Sequence, residues 1–210
     1  TDLDQIKADV VYPFLLEVNS DYEAGTITHQ EMLDVIEMVT SYVFRRAVCR
    51  VPTNSLNKTF ATLRNEIKSD DYMNSIKAFF VLSDDYKEFP DDDKFGKAFV
   101  SRDIYNMRSR NFILSHLENF GNKAPIIIEN YTIEHIMPQN SNPRDEWKTM
   151  LGPNWKEVQK TYLHTIGNLT LTAYNSEMSD KPFIDPSDPF NSKMDMTGGF
   201  KESALRLNAY

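Results

Sequence analysis

The stretch Thr132-Ile133-Glu134-His135-Ile136-Met137-Pro138, followed by Ile166-Gly167-Asn168-Leu169-Thr170-Leu171-Thr172 and then Asn175, decides how the chain is read. The first piece has the β-favouring alternation of a strand, and Pro138 stops it. The second alternates more cleanly, with Ile166, Leu169 and Leu171 apolar and Asn168, Thr170 and Thr172 polar. The period-two pattern then lapses over Ala173 to Met178, where a helix can begin. Two strands and a helix would gather His135, Asn168 and Asn175.

Upstream the texture is helical. Leu3, Ile6, Val10 and Phe14 fall at helical spacing, with Pro13 expected to kink or divide the helix. Thr28 with Glu31 forms a capping box ahead of Leu33, Ile36, Val39 and Val43. Arg45, Arg46 and Arg50 crowd the end of that helix, where caps, ion pairs and phosphate contacts are all open to them. Asn54 is read as the cap of a helix carrying Leu56, Phe60, Leu63 and Ile67, and another runs from about Asp71. The acidic segment Asp84–Asp93 reads as an exposed loop. Helices follow over Phe95 to Val100 and over Asp103 to Phe120, the latter with Ile104, Met107, Leu114 and Leu117 inward. Pro125 to Ile128 is β-prone, and Phe200 to Tyr210 reads as the start of a helix. The expected architecture is mainly α: a helical part over residues 1–122, then a small ββα subdomain over 123–210 with a truncated C-terminus.

The chain has 210 residues, 40% of them apolar, enough for a sizeable core. Its one cysteine, Cys49, excludes an intrachain disulfide framework and a four-thiolate zinc site, and fits a reducing cytoplasm. No apolar run reaches membrane-spanning length. The acidic start carries no signal peptide and no initiator Met, which suggests a piece of a longer protein. The net charge of −8 runs against nucleic-acid binding, which Lys and Arg dominate.

The chemistry centres on Glu134-His135. An imidazole near its ordinary pKa takes a proton from water at neutral pH, which makes His135 a candidate general base. Glu134 and Asn175 are hard oxygen ligands for a divalent cation, Mg²⁺ or Mn²⁺, that would keep water and substrate phosphate in its shell. Neighbours on a strand point to opposite faces, so Glu134 and His135 meet one ion only if the strand twists or bulges.

Glu134-His135-Ile136-Met137-Pro138, Ile166-Gly167-Asn168-Leu169-Thr170-Leu171, Asn175 and Lys181-Pro182-Phe183 resemble the HNH (His-Me finger, ββα-metal) nucleases. More closely, they are similar to the C-terminal domain of GmrSD-type modification-dependent restriction enzymes. Tyr12-Pro13-Phe14-Leu15, Phe44 to Cys49, Phe89-Pro90 with Phe95, and Leu114 to Glu118 extend the resemblance upstream. It implies His135 as general base, Asn175 and Glu134 as metal ligands, and Asn168 as the residue that holds the loop and orients the base. His164 and Lys181 are candidate substrate contacts. Trp147, Trp155, Tyr162 and Phe183 would hold the finger in place of zinc-knuckle cysteines. The resemblance also implies a bacterial phage-defence role, foreign or modified DNA as substrate, a 5′-phosphate product, and an N-terminal nucleotide-hydrolysing sensor domain. A helical interaction module with an inactive finger, favoured by the acidic balance, and a ribonuclease toxin stand as alternatives.

Overall fold

The computed structural model describes residues 2–209, and most of its helices start where the local chemistry asks them to. Helix α1 (Tyr12–Glu23) opens with Pro13 in its first turn, after a break at Lys7, whose φ is 57°. Pro13 therefore divides the expected first helix, because its fixed φ suits a first turn and its ring does not suit an interior. Helix α2 (His29–Val48) carries the capping box: Thr28 accepts from Glu31 N, and Glu31 accepts from Thr28 N at 2.7 Å. Helix α3 (Leu56–Glu66) starts after Ser55 with no side-chain cap, so Asn54 does not cap it. Helices α4 (Tyr72–Leu82) and α5 (Asp92–Ser101) follow.

Two compact units result, one reaching Phe99 and the other starting at Val100. In the first unit Val18, Val35, Val39, Leu63 and Ile76 are fully buried. The acidic segment is held more firmly than an exposed loop: Tyr42 donates to Lys87 O, Arg46 to Glu88 O and Arg45 to Pro90 O. The arginines of α2 thus cap and clamp.

The division falls at 99/100 and not at 122/123, because helix α6 (Arg110–Asn119) packs with the second unit. Glu118, 1% exposed, accepts the backbone N–H groups of Arg206 and Leu207 at 2.8 and 2.9 Å. Residues 103–109 are not helical, since the Ile104 and Tyr105 amides donate to the His164 carbonyl and Asp103 accepts from Asn106. Leu114 is buried and Leu117 is 39% exposed, so only the former faces inward.

Strands β1 (Thr132–His135) and β2 (Leu169–Thr172) pair antiparallel, with Glu134 opposite Thr170 and His135 opposite Leu169. Between them lie α7 (Asp145–Leu151) and α8 (Trp155–Tyr162); α9 (Asn175–Met178) follows β2. The unit is mainly α with a two-stranded sheet, as expected. Pro125 to Ile128 forms no strand; a 3₁₀ turn occupies Ile128–Asn130. The C-terminal stretch is two 3₁₀ turns, Phe200–Glu202 and Arg206–Asn208, and not a helix, with Tyr210 outside the described residues. Its Asn208 donates to Leu171 O at 2.9 Å and contacts Thr170 Oγ1, so the tail lines β2. Among the described residues no helix is long and apolar enough to cross a membrane.

Glu118→Ala leaves the Arg206 and Leu207 N–H groups without their carboxylate acceptor, an expected loss of about 1–2 kcal/mol in urea unfolding of the second unit, with faster proteolysis over residues 203–209.

Candidate active site

His135 ends β1 and is 4% exposed. Its ring meets two others. Nε2 lies 3.1 Å from Nδ1 of the half-buried His164, a hydrogen bond in which one imidazole donates. Tyr105 stacks on His164 at 5.3 Å and 13°, and stands edge-on to His135 at 4.5 Å. The capture of the Tyr105 amide by His164 O fixes this arrangement, which is why residues 103–109 leave the helix.

Burial, with the positive charge that His164 and Lys193 can bring, pushes the His135 pKa from 6.5 down to about 4, against the opposing pull of Asp103. The ring is neutral at pH 7.

Asn168, which the resemblance implies as the residue that holds the loop and orients the base, bonds backbone groups of both strand ends. Its side-chain oxygen accepts from Met137 N at 2.6 Å, and Nδ2 donates to Met137 O and Leu163 O at 3.0 and 2.9 Å. One amide thereby ties the exit of β1 to the entry of β2. Asn175 heads α9, and its Nδ2 donates to Ile133 O at 2.8 Å. That bond brings it against β1 two residues before His135 and leaves its oxygen for another ligand.

Glu134 goes elsewhere. It is 3% exposed, on the opposite strand face from His135, and its carboxylate is paired with Lys193, which is fully buried. Burial pushes the Glu134 carboxyl up and the Lys193 ammonium down, and their attraction opposes both shifts. The expected ligand set, Glu134 with Asn175, does not fit a divalent cation in this arrangement, because an ammonium already occupies the carboxylate. No cluster of three or more His, Cys, Asp or Glu able to hold a metal exists among the described residues.

Of the two expected substrate contacts, His164 joins His135, whereas Lys181 reaches Met196 Sδ at 3.8 Å. Trp147 is buried and donates to Lys181 O at 2.9 Å, and Phe183 packs on the Met178, Met196 and Phe200 cluster; Tyr162 is 54% exposed and packs little. Sequence reading missed Tyr105, Asp103, Arg110 and Lys193. Tyr105 looked like a helix position, and Arg110 lies with its guanidinium 5.2 Å over the Tyr105 ring, donating to Tyr105 O. No spacing rule marks Lys193; the three prolines that precede it disguise a built loop as irregular chain.

A family model described as the C-terminal domain of GmrSD restriction endonucleases matches residues 89–210, which takes in the whole second unit. No curated protein and no solved structure matches the chain.

At His135 the folded chain binds fewer protons than the unfolded chain between pH 6.5 and about 4. The stabilisation that goes with a neutral His135 is complete above 6.5 and lost as the pH falls towards 4, up to about 3 kcal/mol. Thermal unfolding of the second unit followed from pH 7 to pH 4.5 is expected to show this slope, and His135→Gln to flatten it.

Proposed function

Because the chain belongs to the family of C-terminal domains of GmrSD restriction endonucleases, we propose that it is an HNH-type DNA endonuclease domain of a bacterial phage-defence protein, hydrolysing phosphodiester bonds with water activated at His135. The observation that carries this reading is the neutral His135 imidazole at the end of β1, hydrogen-bonded to His164, which is half-open to solvent. The ββα order and Asn175 at the head of α9 support the HNH assignment.

In this proposal His135 accepts the proton of the attacking water, and His164 passes it outward along their hydrogen bond. A ring with a pKa near 4 is a weak base. The negative charge of a bound phosphodiester raises it towards the working range, so the base becomes competent when substrate arrives. Arg110, exposed on Tyr105 beside the imidazoles, supplies a phosphate contact, and a local cation answers the net charge of −8 better than the chain's overall balance does. Divalent-cation dependence belongs to the same proposal, with the Asn175 oxygen as one protein ligand, while Glu134 is withheld by Lys193. A sensor domain that hydrolyses nucleotides and recognises modified DNA is the proposed partner, and the cytoplasm the proposed compartment.

Supercoiled plasmid, incubated with the protein in Mg²⁺, Mn²⁺ or EDTA, tests this. Nicking is expected to fall by about 10²–10⁴ in His135→Ala, and equal nicking by both proteins refutes the assignment. The acid limb of kcat/KM is expected near pH 4, with that of kcat at higher pH, since the first reports the free protein and the second the complex. Arg110→Ala is expected to weaken DNA binding and to lower the slope of log K against log salt by about one, measured by fluorescence anisotropy.

A further inference from the structure

Lys193 has no solvent-exposed surface, and its ammonium donates to two acceptors that bracket one residue: the Glu134 carboxylate and, at 2.7 Å, the His135 carbonyl. The loop that delivers it is built for the purpose. Lys193 N donates to Pro182 O at 2.9 Å, and its own carbonyl accepts from Phe200 N at 3.0 Å. Gly199 sits where a Cβ would meet the carbonyl oxygens of Lys193, Met194 and Met196 at 2.7 Å, so only glycine lets that turn close. Met178, Met196 and Phe200 form a buried apolar cluster with Ile136, Phe183 and Met194 around the same loop. An ammonium in such surroundings persists only with a counterion and satisfied protons.

We propose that Glu134 is the counterion of Lys193 rather than a cation ligand, and that Lys193 is a positioning residue which fixes the end of β1 beneath the His135 ring. The positioning half rests on the reading of His135 as the base; the pairing half does not. The ring's direction towards His164 is set by the backbone at His135, and Lys193 holds that backbone from both sides, through the preceding side chain and through the residue's own carbonyl. Removing the ammonium frees the carbonyl and strands a carboxylate. Removing both charged groups strands neither charge and costs only the carbonyl's donor.

The test compares Lys193→Met, Glu134→Leu and the double variant by thermal unfolding with and without Mn²⁺, and by plasmid nicking. Each single variant is expected to lower Tm, and the double variant to melt above either single. The double variant is expected to keep the wild-type response of Tm to Mn²⁺, and to lose about ten- to a hundredfold in kcat at unchanged KM, as a displaced base does. Where the wild-type Tm does not respond to Mn²⁺, the Mn²⁺ concentration needed for nicking decides instead: unchanged in the double variant it supports the proposal, and raised it overturns it. A double variant melting below both singles overturns the pairing. Recovery of Tm with loss of the Mn²⁺ response makes Glu134 a ligand and overturns the proposal. Wild-type kcat in the double variant overturns the positioning role. If the wild type itself does not nick, the nuclease reading fails, while the Tm comparison still decides the pairing.

Discussion

Two strands of four residues cannot hold themselves together in water, and what holds this pair is a set of side-chain amides standing in for missing strands. Asn168 supplies both a donor and an acceptor to Met137, Gln159 donates to Pro138 O and Asn140 O, Asn175 donates to Ile133 O, and Asn208 donates to Leu171 O. Asn119 does the same for Ile126, taking its N–H and capping its carbonyl. A carboxamide offers two donors and an acceptor without charge, so it satisfies buried backbone groups at no cost of ionisation. The sheet is small because neutral side chains complete its hydrogen bonding.

This has an electrostatic consequence. A scaffold completed by neutral groups brings little charge to the face that carries His135, and burial then dominates the titration of its ring. On the other face Lys193 pairs with Glu134, and its positive charge adds to burial in lowering the His135 pKa. The two faces of β1 therefore differ in kind. One holds aromatic rings and a titratable pair, open to solvent through His164; the other holds an apolar cluster with a sealed ion pair. The acidic balance of the chain is not felt uniformly, and in the second unit Arg110 places a cation on the ring side.

The elements legible in the sequence were those with a local cause. The Thr28–Glu31 box, the Pro13 break and the alternation of β1 and β2 each follow from a few neighbouring residues. What was not legible has distant causes. Residues 103–109 show a helical period in Ile104 and Met107, but a carbonyl some sixty positions on, that of His164, captures two of their amides, which breaks the helix and creates the Tyr105 contact. Phe200 to Tyr210 has helix-like apolar spacing, and Glu118 instead takes the amides of Arg206 and Leu207. Lys193 shows the same limit most sharply: a lysine in a proline-punctuated stretch reads as solvated, and only the folded loop reveals that its amine is sealed.

The strand's own geometry keeps the Glu134 and His135 side chains apart. Adjacent residues on a regular strand diverge, and the unbroken register Glu134–Thr170 and His135–Leu169 shows no bulge that would swing them together. A sequence reading that puts a ligand and a base side by side asks the strand for a distortion; the fold instead gives each face its own partner. Once Lys193 fills one side, the carboxylate has a stronger reason to stay than a hydrated cation could offer it, since moving it would leave a fully buried ammonium alone. The pairing thus protects the alternation, and the alternation presents His135 to the opposite side, towards His164 and Tyr105.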